Sequence, residues 1–225
     1  MPMGRVVSYM VEKYSSIMDS SPSNVHWRLA ARLHRLRADR GLTLDGLAER
    51  TGVSRSMISL VERGESSPTA AVLDRLAAGL GVTIASLFAE EPRADAAPLA
   101  RRDAQVTWRD PATGYERRNL SPPGFPSPIE LVEVVLPGGA RVAYDTPAPR
   151  AVGVSQQLWI LDGRVELRVG DETHRLAVGD CLAMRVDRPV TFHNPDASPA
   201  RYVLALAADP APAGRAAALR AGGGG

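Results

Sequence analysis

Lysine is almost missing from this sequence: Lys13 is alone among 27 basic residues of a 225-residue chain, and arginine supplies the rest. A GC-rich genome produces that bias, so with a formal net charge of only +2 the placement of the arginines carries more meaning than their number. Cysteine is as scarce. Cys181 alone excludes an internal disulfide and a thiolate metal cluster, fits a reducing compartment, and reads as a small buried hydrophobe. No apolar run approaches the roughly 20 residues that cross a bilayer, and the N-terminus lacks the contiguous apolar core of a signal peptide. A cytoplasmic protein without a membrane partner is expected. Hydrophobic residues at 44% and charged residues at 23% exclude a disordered or fibrous class. The length suffices for one large domain or two small ones, each with its own core.

Along the chain, residues 1–23 end in a Ser/Pro cluster and show no sustained period. They read as a flexible leader, with Met18 opening a compact polar lead-in as the expected translation start. Residues 24–91 carry a helical apolar pattern broken at Gly41, Gly52, Gly64 and Gly81, with Thr43, Ser54, Thr69 and Thr83 placed as N-caps, which predicts five short helices. Leu29, Leu33 and Leu36 share one face of the first, and Arg28, Arg32 and Arg35 another. Residues 92–104 (PRADAAPLARRDA) turn rich in Pro, Ala and charge, as linkers do.

Over residues 105–207 the period changes to short runs of β-formers: Gln105–Trp108, Ile129–Leu136, Leu158–Leu161, Arg164–Val169, Cys181–Val186, Val190–His193 and Arg201–Leu206. Such spacing predicts an antiparallel sandwich or barrel. Asp162-Gly163 and Gly170-Asp171 can each close a hairpin, and Pro137-Gly138-Gly139 marks another reversal. Residues 208–225 end in low complexity and are expected to be a disordered tail.

Helices two and three hold the most demanding pattern, Leu44, Leu47, Ala48, Gly52, Val53, Ile58 and Val61 within LDGLAERTGVSRSMISLVER. Ala48 must be small where two helices cross, Gly52 permits the turn, and Ile58 with Val61 anchors the second helix to the core. Residues 27–89 resemble the XRE, or Cro/repressor-like, DNA-binding domains nearly end to end. The resemblance implies a five-helix, lambda-repressor-like head whose third helix enters the major groove of double-stranded DNA. Carried over by position, it makes Arg55, Ser56, Ser59 and Leu60 base-facing, and Ser54, Arg63 and Arg28 complete the expected DNA-binding set. Arg55 can grip guanine O6 and N7, the serines can reach a base or phosphate, and Leu60 can meet a thymine methyl. Arg63 and a first-helix arginine suit phosphate contacts. Glutamine, frequent in that family at these positions, is missing here.

The stretch from Leu158 (LWILDGRVELRVGDETHRLAVGDCLAMRVDRPVTFHNPDASPARYVLAL) resembles the cupin fold, a double-sheet β-barrel, through Gly163, Gly179-Asp180 and Asn194. Cupin enzymes hold a metal on histidines and a glutamate. By position Gln156 takes the glutamate place, the first histidine places fall near Arg150 and Val152, and Val190 takes the last. None is a good ligand, so no metal and no cofactor are expected. His193 has the opposite strand parity and should point outward. The implied pocket is Arg150, Val152, Gln156, Met184, Val190 and Phe192, mostly apolar.

Joined by a linker, the two resemblances match XRE regulators with a C-terminal cupin sensor. The expected protein is a multidomain α plus β regulator, not an enzyme, whose β domain senses a small-molecule effector or dimerises. A homodimer on a two-fold operator is expected because one recognition helix reads too few bases for genomic specificity. The alternatives are a metal-dependent cupin enzyme with an accessory DNA-binding domain, and an antitoxin or phage-type repressor controlled by a protein partner.

Overall fold

The computed structural model describes residues 22–144 and 153–208. The leader through residue 21, Met18 within it, pocket candidates Arg150 and Val152, and the tail beyond Ala208 lie outside the described residues.

Five helices come first: α1 (Pro22–Asp39), α2 (Leu44–Thr51), α3 (Arg55–Glu62), α4 (Ala70–Leu80) and α5 (Ile84–Phe88). Each of the four expected caps forms. The side-chain oxygens of Thr43, Ser54, Thr69 and Thr83 accept from the backbone N–H of Gly46, Met57, Val72 and Ser86, satisfying donors that a helix start leaves orphaned. At the other ends of α2 and α4, Gly52 (φ 64°) and Gly81 (φ 66°) take the left-handed conformation that stops a helix. Leu29, Leu33 and Leu36 are buried against Leu47, Ile58, Leu73 and Leu76. A close approach that sequence reasoning missed lies between α2 and α4, where a Cβ on Gly79 would collide with the Thr51 methyl.

Ten strands follow: β1 (Thr107–Arg109), β2 (Glu116–Asn119), β3 (Ile129–Leu136), β4 (Arg141–Tyr144), β5 (Val154–Asp162), β6 (Val165–Val169), β7 (Glu172–Leu176), β8 (Cys181–Arg185), β9 (Val190–His193) and β10 (Ala200–Ala208). They form a six-stranded sheet, β1-β2-β3-β10-β5-β8, and a four-stranded sheet, β4-β9-β6-β7. The sheets face each other across a core that includes Val134, Leu158, Leu167 and Phe192. This is the expected double-sheet arrangement, although among the described residues no strand pairing joins the two sheets into a closed cylinder.

Three details correct the sequence reading. Gly170-Asp171 does close a hairpin, with Val169 opposite Glu172, but Asp162-Gly163 does not, and the expected reversal at Pro137-Gly138-Gly139, where the Ala140 N–H donates to the Pro137 carbonyl at 3.1 Å, is of the same kind. Both carry the chain from one sheet to the other, since β3 and β5 belong to the larger sheet and β4 and β6 to the smaller. At these corners a Cβ on Gly138 would strike the backbone of Ala197, and one on Gly163 would crowd Ala200. Strands β2, β4 and β7 were not anticipated, because their sequences ERRN, RVAY and ETHRL carry little apolar alternation. Cys181 is exposed rather than buried, on the edge strand β8.

The buried Asn194 clasps the corner region. Its Nδ2 donates to the carbonyls of Leu136, Pro137 and Ser198 at 2.8–3.2 Å, and its Oδ1 accepts from the Asp196 N–H.

The helical part packs onto the sandwich. Phe88 meets Trp108 with ring centroids 5.9 Å apart. Glu130 of β3 accepts from the hydroxyls of Thr83 (2.5 Å) and Ser86 (2.8 Å) on the α5 side. No helix of the described residues is long and apolar enough to cross a membrane.

Candidate DNA-reading helix and interdomain cavity

Helix α3 has two faces. Ile58 and Val61 are buried in the core, which fixes the opposite side outward at helical spacing. Arg55 and Ser56 are exposed there, and Ser59 and Leu60 are half-buried. Ser54 is committed as the cap of α3 and also lies 3.2 Å from the Ser56 hydroxyl. Gly52, left-handed between α2 and α3, sets the turn that projects α3.

The basic residues of this surface already have acidic neighbours. Arg55 Nε lies 3.2 Å from Asp45 at the start of α2, with both side chains well exposed. Arg63 donates to both Glu65 oxygens at 2.8 Å and also to the Ser59 hydroxyl. Arg28 is bound to Glu90 at 2.6 Å, and Arg32 is paired with Glu91, so these first-helix arginines tie α1 to the segment after α5. Behind α3, Arg37 grips Glu62 through Nε (2.6 Å) and Nη2 (2.8 Å).

A cavity lies where the sandwich meets α4 and α5. Gln156, Met184, Val190 and Phe192 line it, and so do Tyr115, Arg117, Tyr144 and Tyr202 of the sandwich and Asp74, Thr83 and Ile84 of the helical part. It leaves about 50 Å³ for the centres of water-sized molecules, where a single water needs about 10–15 Å³. Phe192 stacks on Tyr202 with centroids 5.8 Å apart and an interplanar angle of 5°, and Tyr144 meets Phe192 edge-on. Sequence reasoning missed the tyrosines, Arg117 and the whole helical wall. Strand parity of Tyr202 within β10 was a usable signal, whereas nothing local in ERRN marks Arg117 as inward-facing.

A helix-turn-helix domain model matches residues 28–88. The HTH-type transcriptional regulator SutR of Escherichia coli (strain K12) is 30% identical over 166 residues, covering 74% of this chain and 86% of that protein. The chain belongs to the XRE-type helix-turn-helix transcriptional regulators. A further relative of this regulator, PuuR of the same organism, is 22% identical over 77% of the chain and 91% of its own length. Among solved structures, an HTH_3 family transcriptional regulator from Vibrio cholerae superimposes with a TM-score of 0.64 at 26% identity, covering 83% of this chain and 98% of that one. The XRE-type regulator therefore shares its arrangement of helical head and two-sheet sandwich with that solved structure along most of its length.

The cupin fold raises the question of a metal, and the donor set of this regulator does not suit one. Gln156 and Val190 stand at ligand positions, the Gln156 Nε2 is buried without a partner, and the Arg117 guanidinium lines the same cavity. A divalent cation needs several converging N or O donors and is repelled by a fixed positive charge. The two histidines of the sandwich lie elsewhere. His193 Nδ1 is 3.1 Å from Glu166, and His174 neighbours Glu172.

Proposed function

We propose that this XRE-type regulator reads a two-fold operator as a homodimer and that the cavity takes a small-molecule effector which biases DNA affinity. Arg55 serves as the main base reader, with Ser56, Ser59 and Leu60 beside it. Ser54 and Arg63 contact the backbone. Arg28 reaches phosphate only by leaving Glu90. The domain division is 24–91 for the head, 92–104 for the linker and 105–207 for the sensor, which acts as a binding module rather than a catalyst.

The observation that carries the reading is that one cavity is lined by both parts of the chain. A ligand that meets Asp74, Thr83 or Ile84 presses on α4, which packs on α2, or on α5, which packs on α1, so binding and head placement share one free energy. A coupling of about 1–3 kcal/mol suffices for regulation. Half-exposed Ile129, Leu131 and Trp159 on the six-stranded sheet supply apolar surface for the second copy.

The test is selection of genomic fragments by the purified protein, with light scattering on the complex. A palindromic site bound by two copies is expected. Only weak, sequence-independent binding would overturn the DNA-reading half of the proposal.

A further inference from the structure

One side chain narrows the chemistry of the cavity's ligand. Arg117 is the second residue of the polar strand β2, opposite Trp108 on β1 and Val134 on β3, and it is 3% exposed. Its Nη1 reaches the Tyr115 hydroxyl at 3.5 Å, while Nε and Nη2 are buried with no hydrogen-bond partner. A guanidinium does not surrender its proton, so a buried one without counter-charge is costly.

Among the described residues, no carboxylate pairs with the Nε/Nη2 edge directly. Burial holds the Tyr144 and Tyr202 hydroxyls well above the ordinary phenol range, so both stay neutral. Glu130 favours the charged Arg117 through space, but its oxygens accept from Thr83 and Ser86 and make no hydrogen bond to the guanidinium. Asp187, on the solvent-facing side of the cavity, pairs with Arg188 at 2.8 Å. Asp74 on the helical wall is itself engaged.

The two unpartnered donors form one edge of the guanidinium plane. Three other arginines use that same edge, and each time it holds a carboxylate: Arg37 on Glu62, Arg63 on Glu65 at 2.8 and 2.8 Å, and Arg164 on Asp196 at 3.0 and 2.6 Å. The fork geometry matches the two oxygens of a planar carboxylate.

Building on the sensor reading above, we infer that the cavity binds a small organic monocarboxylate whose two oxygens sit on the Nε/Nη2 edge of Arg117. Arg188 also lines the cavity but is paired with Asp187, so the one guanidinium without a paired carboxylate among the described lining residues matches a monoanion. Gln156, whose Nε2 also lacks a partner, is the second donor, and the stacked Phe192 and Tyr202 rings take the apolar body. Because Thr83 and Ile84 also line the cavity, the body of the ligand meets the DNA-binding head.

The test is an NMR titration of the full chain with benzoate, acetate, benzamide and chloride at constant ionic strength. Two reporters are followed: the Arg117 Nε–H resonance, assigned by its loss in Arg117→Met, and the Met184 methyl resonance, assigned in Met184→Leu. Benzoate and acetate should shift the Arg117 resonance saturably, while benzamide and chloride should not. Arg117→Met should weaken benzoate, read at Met184, by about 10- to 100-fold, the worth of a charge-assisted pair. Thermal melting checks that this variant folds, with a melting point close to that of the parent chain expected, since Arg117 makes one long hydrogen bond at 3.5 Å. An Arg117 resonance that ignores the carboxylates, or answers chloride equally, overturns the inference. If benzamide then still moves Met184, the sensor reading survives without the carboxylate, and if nothing moves either reporter, both fall.

Discussion

The Asp110 carboxylate accepts the backbone N–H of Ala70 at 3.0 Å, so the first turn of α4 in the head is held by a side chain from the sandwich. The other Asp110 oxygen takes the Thr113 N–H and hydroxyl at 3.0 and 2.6 Å, which fixes the carboxylate before α4 meets it. Asp110→Ala strands buried donors on both sides and should lower stability by about 1–3 kcal/mol, measured by urea titration. X-ray scattering should show a broader placement of head against sandwich. An unchanged profile in both would mean that the contact does not hold the two parts together.

On the proposed reading, Arg55 reaches a base only by leaving Asp45, 3.2 Å from its Nε. Asp45→Asn should therefore tighten operator binding a few-fold, since an exposed ion pair is worth only about 0.2–1 kcal/mol. Arg55→Ala should instead cost about 1–3 kcal/mol and relax preference at one base pair. Titrations on operator variants separate the two. Equal loss across all sequences would make Arg55 a backbone contact.

The Glu62 carboxyl carries a pH dependence. Burial alone would raise its pKa, but hydrogen bonds from Arg37 and His34 outweigh that and leave it below the ordinary glutamate range. The unfolded chain then binds the proton more readily, so the pair's contribution is present above the unfolded value, about 4.3, and is lost as pH falls through the depressed folded value. Glu62→Gln should lower stability at pH 7 and flatten the acid limb of the stability curve. An acid limb of unchanged slope would count against the pair.

Gly79 and Thr51 should behave as a coupled pair. Gly79→Ala forces a methyl into Thr51 and should cost about 1–3 kcal/mol despite the better helix propensity of alanine. Thr51→Ser removes the obstructing methyl and keeps the hydroxyl that donates to the Leu47 carbonyl at 2.8 Å. The double variant should regain most of the loss in a denaturation cycle, and additive losses would place the strain elsewhere.

The helical half was legible because its determinants are local. A cap such as Thr83 and a leucine at the next turn lie within a few residues of each other. The sandwich was legible only where apolar residues alternate, as over Ile129–Leu136. In β2 the buried residue is an arginine, so the strand looks like a loop until its neighbours are known. Asp162-Gly163 reads as a hairpin because a turn signal reports a reversal of direction and not the strand that follows. The same limit hid half of the cavity: Thr83 and Tyr202 belong to parts of the chain that meet only after folding, and no spacing links them.

The Asn194 clasp bears on the order in which the protein is made. Its carbonyl partner Leu136 lies 58 residues earlier, and the final strand pairs with both β3 and β5, so the six-stranded sheet stays incomplete until the ribosome has delivered residues near Ala208. The head draws its helices and caps from residues up to Phe88 and forms first, with the first turn of α4 left to await Asp110. Each nascent chain therefore passes through an interval in which the helical head exists without the completed sheet on which it packs.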